Sequence, residues 1–279
     1  MNDLSRSLIA GVVVLVVAGS AYLWWQERQQ KQGAEPVPLR AANTSVLEPA
    51  APGPAPVHHP IEAVVPPVAQ PLPPLTDGSE VSDALVGLLG REQLLSFVEA
   101  SGFPRRVVAT VDNLARGHAA SRLWPVLPAP GRFQVVERDG ATYIADDNRD
   151  RYTAFVRFAS AVDTDAAVAL YVRMYPMLQQ AYEELGYPGK YFNNRLIEVI
   201  DQLLATPDLL KPIPLTLVDV KGAGETPRPW VRYEYADPSL EARPAGQKIL
   251  LRMGAGNAGQ LKAKLRQFRQ RIASSGVTG

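Results

Sequence analysis

Eighteen consecutive residues near the start of the chain, Leu8 to Trp25, carry no formal charge. A helix rises about 1.5 Å per residue, so a helix of this run covers about 27 Å, close to the hydrocarbon thickness of a bilayer. A cleavable signal peptide has a shorter apolar core and a small-residue exit. Gly19-Ser20-Ala21 offers such an exit, but the apolar run continues through Tyr22, Leu23, Trp24 and Trp25 before charge returns at Glu27 and Arg28. Paired tryptophans at the end of a span suit the membrane–water interface. The sequence therefore predicts a short tail over residues 1–7 and an uncleaved transmembrane helix over 8–25, with the lipid bilayer as partner. Arg6 and the terminal amine flank one side, and Arg28, Lys31 and Arg40 the other. Charge counting alone leaves the bulk of the chain in the cytoplasm. A seven-residue tail is easily retained inside, however, and the next segment has the composition of an envelope spacer. The expectation is a single-pass protein of the bacterial inner membrane with a periplasmic soluble domain.

Residues 33–78 hold 12 of the 25 prolines in the chain, including Pro52, Pro54, Pro56 and the run Pro71-Leu-Pro-Pro74. This segment shows neither a helical nor a strand period. Such composition buries too little apolar surface to offset chain entropy, and proline bias favours an extended, semi-rigid spacer. The sequence thus predicts a disordered Pro/Ala-rich linker over 26–78. His58-His59 and two PxxP matches fall inside it, and a plain spacer accounts for them.

Beyond residue 78 the apolar pattern becomes mainly helical. Asp77, Ser79 and Ser82 offer N-caps for a first helix that stops at Gly90. Arg91–Ala100 forms a second, and Pro104 opens a third that ends near Gly117. Residues 118–131 read as a Pro-rich loop around Trp124. Phe133–Ile144 places two β-prone runs around Asp139-Gly140, a two-residue hairpin turn. Helices follow over Asp146–Val162 and Asp165–Leu185. The second is apolar on nearly every side, marking it as central, with a kink expected at Pro176. Asn193 is the expected cap of a helix to Leu204. Residues 213–220 and 230–235 alternate like a second small β element, and two helices close the domain, Pro244–Met253 and Asn257–Ile272. The fold class is mainly α, a helical globular domain over 79–272 with a β-hairpin and a second β element, followed by a tail at 273–279.

Familiar catalytic patterns fail on inspection. The chain has no Cys, which excludes disulfides and thiolate chemistry. Gly254-Ala-Gly-Asn-Ala-Gly259 matches GxGxxG, but no Asp or Glu occurs after Glu241 to hold a ribose, so the glycines read as a joint between helices. Asp146-Asp-Asn-Arg-Asp150 starts like a calcium loop but has Arg151 where glycine is needed and Arg157 where glutamate is needed. His118 is the single histidine of the region after residue 78, and no GxSxG, SxxK or HExxH pattern accompanies it. No cofactor, metal or catalytic residue is assigned, and the chain leans away from an enzyme.

Two stretches remain as candidate sites. Five of the ten tyrosines fall between 171 and 191. Arg173 stands in an apolar helix and needs a partner, with Glu198 or Asp201 the natural choice. Arg173, Tyr175, Tyr191, Asn194, Arg195 and Asp201 are the candidate lining of a binding cleft. The same residues also suit a core helix pair with satisfied polar tips. Charge is divided as well: residues 79–241 carry 17 basic and 22 acidic residues, while 242–279 carry eight basic and no acidic ones. Lys262, Lys264, Arg266, Arg269 and Arg271 of the last helix offer a face to an anionic partner, or to the acidic body of the same domain. Without interleaved aromatics, no nucleic acid is expected.

The chain resembles an uncharacterised bacterial family of single-pass proteins known as a domain of unknown function. The resemblance rests on Arg106–Gly117, Glu184-Leu-Gly-Tyr-Pro188, Tyr191-Phe-Asn193, Ile200–Pro207, Tyr235-Ala-Asp-Pro238 and Gly246–Gly254. It implies the layout of span, Pro-rich linker and helical domain, and brings no assigned activity. The expected function is that of an inner-membrane-anchored, non-catalytic binding or scaffold module for an envelope protein or polymer. The alternatives are an envelope enzyme with a cleft near residues 171–201, or a cytoplasm-facing domain that binds anionic lipid or nucleic acid through its last helix.

Overall fold

The computed structural model describes residues 56–64, 72–218 and 232–273. The expected tail at 1–7 and span at 8–25, residues 26–55 and 65–71 of the expected linker, and all but Ala273 of the expected tail at 273–279 lie outside the described residues. Among the described residues, no helix is long and apolar enough to cross a membrane.

The chain enters α1 (Gly78–Leu89) through Asp77, whose Oδ1 accepts from the amides of Ser79 at 2.8 Å and Glu80 at 2.9 Å. Helix α2 (Arg91–Phe97) follows Gly90, and α3 (Phe103–Leu114) starts with Pro104 in its first turn. A loop with a short 3₁₀ turn at Ser121–Leu123 leads to β1 (Val135–Arg138) and β2 (Ala141–Ile144). Asp139 and Gly140 both have positive φ, 51° and 74°, as a twisted two-residue hairpin requires. Then come α4 (Asn148–Ala161), α5 (Thr164–Glu184) and α6 (Phe192–Leu204). Strands β3 (Pro214–Leu217) and β4 (Tyr233–Tyr235) precede α7 (Pro238–Glu241), α8 (Ala245–Met253) and α9 (Ala255–Ile272).

The two expected β elements are one sheet. All four strands are antiparallel in the order β1-β2-β3-β4, with Thr142 opposite Leu215 at the join. The sheet has its own small core of Ile213, Leu215, Tyr235, Leu240 and Leu251. The main core is helical. Helix α5 lies at its centre, with Val168, Leu170, Met174 and Leu178 buried, and α3, α6 and α9 pack against it. The helix runs unbroken through Pro176, which faces solvent, so the missing amide falls on the exposed side. Gly254, at φ 80°, forms the joint between α8 and α9.

Two expectations need correction. The linker does not stay clear of the domain up to residue 78: Ile61, Val64 and Leu75 belong to the main helical core. Asn193 does not cap α6. The N-cap position is Tyr191, and Asn193 lies one residue inside the helix, wholly buried. Its amide is claimed by partners far away in sequence.

Candidate functional site

The helix pair α5–α6 forms a groove, and residues 56–64 lie in it as a strap. The floor is built from α5. Tyr171 Oη donates to Asn193 Oδ1 at 2.9 Å, and Tyr175 Oη accepts from the Asn193 amide at 3.2 Å. Gln179 fixes the α5–α6 turn, accepting from the Phe192 amide at 2.9 Å and donating to Lys190 O at 2.8 Å. Burial raises the hydroxyl pKa of Tyr171 and Tyr175 well above that of a free tyrosine. Both therefore stay neutral donors and acceptors.

On this floor stand three side chains that grip main chain. Asn194 Oδ1 accepts from the amides of His58 at 3.2 Å and His59 at 3.0 Å, and its Nδ2 donates to Pro56 O at 2.9 Å. Asn193 Nδ2 donates to His59 O at 2.9 Å and to Ile272 O at 3.2 Å. Tyr191 Oη accepts from the Ile61 amide at 2.5 Å. Beyond these, Ile61 and Val64 are 9% and 5% exposed, anchored in the core. A second length of chain, Leu72–Thr76, lies against α5: the Leu75 amide donates to Arg173 O at 2.9 Å, and Arg173 Nε donates to Pro73 O at 3.1 Å.

Of the six expected cleft residues, Arg173, Tyr191 and Asn194 touch the upstream chain, and Tyr175 supports them from below. Arg195 and Asp201 turn elsewhere. Arg195 binds Asp112 at 3.1 Å and Glu198 at 2.9 Å. Asp201 takes the guanidinium of Arg269 in two bonds of 2.5 and 2.8 Å. Glu198 and Asp201, the expected partners of Arg173, are thus held by other arginines, and Arg173 reaches a carbonyl instead.

The sequence reading missed Asn193, Asp112 and Tyr187. Asp112 is a buried carboxylate on α3. It binds Arg116 at 2.6 Å and Arg195 at 3.1 Å, and accepts from Tyr187 Oη at 3.1 Å. Asp112 raises the pKa of the Arg116 guanidinium. Asp112 belongs to an amphipathic stretch whose apolar partners hid its role; an acid four residues before Arg116 was the available signal.

The basic face of α9 is largely spent within the domain. Lys262, itself buried, donates to Thr206 O at 2.8 Å and Asp208 at 2.7 Å. Lys264 binds Val162 O and Thr164 Oγ1. Arg271 pairs with Asp165 at 2.7 Å, while Arg266 is exposed. The excess acid of residues 79–241 supplies Asp165, Asp201 and Asp208 as counter-charges.

A cavity of about 680 Å³ opens elsewhere, between the loop at 117–124, β4 and α8. Two of its cations, Lys248 and Arg252, are engaged by neighbours. Lys248 binds Glu241 at 2.6 Å, and Arg252 packs on the rings of Tyr235 and Phe133. Exposed His118 stands at its rim. Among the described residues, no group of His, Asp and Glu side chains is placed to hold a metal ion.

A family model described as a protein of unknown function, DUF3014, matches residues 103–269, more than half of the chain. The chain belongs to the DUF3014 family. No curated protein and no solved structure matches it. The DUF3014 region contains the groove, from α5 through Asn194, and the α9 cations Lys262, Lys264 and Arg269, while Arg271 lies just beyond it. The strap, α1 and α2 precede that region.

Proposed function

We propose that the chain is a non-catalytic binding module, anchored in the bacterial inner membrane through residues 8–25 with its domain on the periplasmic side. The observation that supports a binding role is the α5–α6 groove. Its polar side chains are aimed at peptide groups, and its apolar floor receives aliphatic anchors. That is how domains recognise extended polypeptide: main-chain hydrogen bonds hold the segment, and pockets select side chains. The Tyr, Asn and Arg residues of the stretch 171–195 serve the polypeptide grip, the hydrogen bonds and ion pairs within the domain or, for Tyr182, ring packing in the core. The envelope-enzyme alternative calls for a deep pocket in which Arg173, Tyr191 or Arg195 converge beside a perturbed carboxylate.

Hydrogen exchange on the full chain tests the groove. The amides of His58, His59 and Ile61 should exchange at least tenfold more slowly than amides of a free peptide of the same sequence. Exchange at the free-peptide rate would remove the grip and with it the binding role. A reporter enzyme that matures only in an oxidising compartment, fused after Gly279, tests the side of the membrane; a silent periplasmic reporter with an active cytoplasmic one would place the domain inside.

A further inference from the structure

We infer that the strap is a displaceable occupant, and that the α5–α6 groove takes from another protein an extended, proline-bearing segment with aliphatic residues spaced like Ile61 and Val64. This rests on the polypeptide-binding role proposed above and goes on to name its ligand class.

Four observations carry it. First, the strap's bonds to Asn193 and Asn194 reach peptide groups only: the amides of His58 and His59 and the carbonyls of Pro56 and His59. Tyr191 accepts the Ile61 amide and adds one long contact, 3.4 Å, to the Glu62 carboxylate. Such a grip reads the course of a main chain. Second, Ile61 and Val64 are the strap's buried side chains, His59 and Pro60 are half-buried, and Val57, His58, Glu62 and Ala63 are exposed. Third, Pro56 and Pro60 pre-set the backbone, which lowers the entropy lost on docking. Any segment with prolines before an aliphatic pair three residues apart gains the same advantage. Fourth, the groove lies inside the family-matched residues, and the strap precedes them.

A strap joined to its own groove competes at a local concentration of about the millimolar order. The strap therefore sets a threshold, and a partner segment enters only if it binds more tightly or arrives at high local density. When it enters, the Pro56–Val64 grip is lost, so partner binding and strap release are a single exchange.

The test uses the full chain and a fluorescent nonapeptide with the sequence of residues 56–64, Pro-Val-His-His-Pro-Ile-Glu-Ala-Val. A strap-released variant, Ile61→Asp with Val64→Asp, should bind the peptide at least tenfold more tightly than the wild type. Adding Asn194→Ala to that variant should weaken binding at least tenfold, and a peptide carrying aspartate at the Ile61 position should not bind. Equal binding to wild-type and released chains, or indifference to Asn194→Ala, would overturn the inference. If the released variant does not fold, the wild type serves. Millimolar unlabelled peptide should speed exchange of the His58, His59 and Ile61 amides at least tenfold, and no change overturns the inference. The arms separate the two claims. Strap amides unprotected without peptide defeat the binding role itself, whereas protected amides that peptide never releases defeat only exchange with a partner.

Discussion

Asn193→Ala is the most informative single substitution, because one buried amide joins three parts of the chain. Asn193 Oδ1 accepts from Tyr171 on α5, and Nδ2 donates to His59 O in the strap and to Ile272 O at the end of α9. Truncation leaves three groups without that partner. The Tyr171 hydroxyl and the Ile272 carbonyl sit in bonds that are buried, while His59 O is partly open and water can replace its donor. A buried polar group left unsatisfied costs about 1–3 kcal/mol. Two such groups give about 2–6 kcal/mol, and the expected loss is about 4 kcal/mol. For a domain of this size that is a fall in Tm of about 8–16 °C. Urea unfolding followed by circular dichroism measures it, with the midpoint falling and the slope held constant. Asn193→Asp is the sharper control. It keeps an acceptor for Tyr171 but turns a carboxylate oxygen towards two carbonyls, so at pH 7 it should destabilise at least as much as alanine. The strap term is separable as well. Asn193→Ala combined with Ile61→Asp should lose less than the two single losses added together, because both act on the same docked segment. A loss below about 1 kcal/mol for Asn193→Ala, or near-wild-type stability in Asn193→Asp, would refute this account of the amide as the joint of the groove.

Asp112→Ala should cost about 3 kcal/mol by the same urea assay, since it takes the carboxylate from Arg195, Arg116 and Tyr187, with Glu198 retaining part of the Arg195 charge and Arg116 still bonded to Tyr187; Asp112→Asn should cost less. Gly246→Ala should cost about 1–3 kcal/mol through overpacking, because a Cβ there falls 2.5 Å from Leu203 Cδ2 and 3.2 Å from the Leu114 carbonyl. In an alkaline titration followed by tyrosinate absorbance, Tyr171, Tyr175, Tyr191 and Tyr235 should stay protonated past the usual value near 10, and Tyr182 should titrate at about 12, in each case chiefly because burial disfavours the anion. Their folded pKa values are raised, so the stability they confer is full below pH ~10 and is lost as pH rises through that region. Asp77 and Asp237 show the opposite sign: bonds from Ser79 and Ser239 hold their carboxyls below the usual range. Their contribution is present above pH ~4 and lost as pH falls, so Asp77→Asn should flatten the acid limb of a Tm–pH curve.

Local chemistry made much of this fold legible. Asp139-Gly140 specifies a hairpin because both residues tolerate positive φ, and Pro104 and Gly254 mark helix boundaries for equally local reasons. The docking of β3 on β2 was not legible, since it depends on Leu215 meeting Thr142 across more than seventy residues. Asn193 looks like a cap because Asn often precedes a helix, and its burial follows from partners at positions 59, 171 and 272. The basic last helix is compatible with two readings, an outside anion or the domain's own acids. Net charge cannot choose between them; Asp208, Asp201 and Asp165 engage Lys262, Arg269 and Arg271, and Arg266 stays exposed.

The strap shows where a compositional argument breaks down. Averaged over 46 residues, the Pro-rich run buries too little to order itself, and as a statement about that run alone the reasoning stands. Order here is conferred from outside. Ile61, Val64 and Leu75 have no period of their own, yet each meets a hydrophobic surface made by other helices. The peptide groups between Pro56 and Ile61 meet Asn193, Asn194 and Tyr191, more than 120 residues away in sequence. A main chain gripped by side chains leaves almost no trace in the gripped sequence, since every residue but proline offers the same amide and carbonyl. The trace lies in the receiving helix, as two adjacent asparagines and a tyrosine at the start of an apolar run. The same asymmetry that hid the strap is what makes it replaceable: a site that holds its occupant largely by peptide groups and aliphatic anchors is open to other segments that present them.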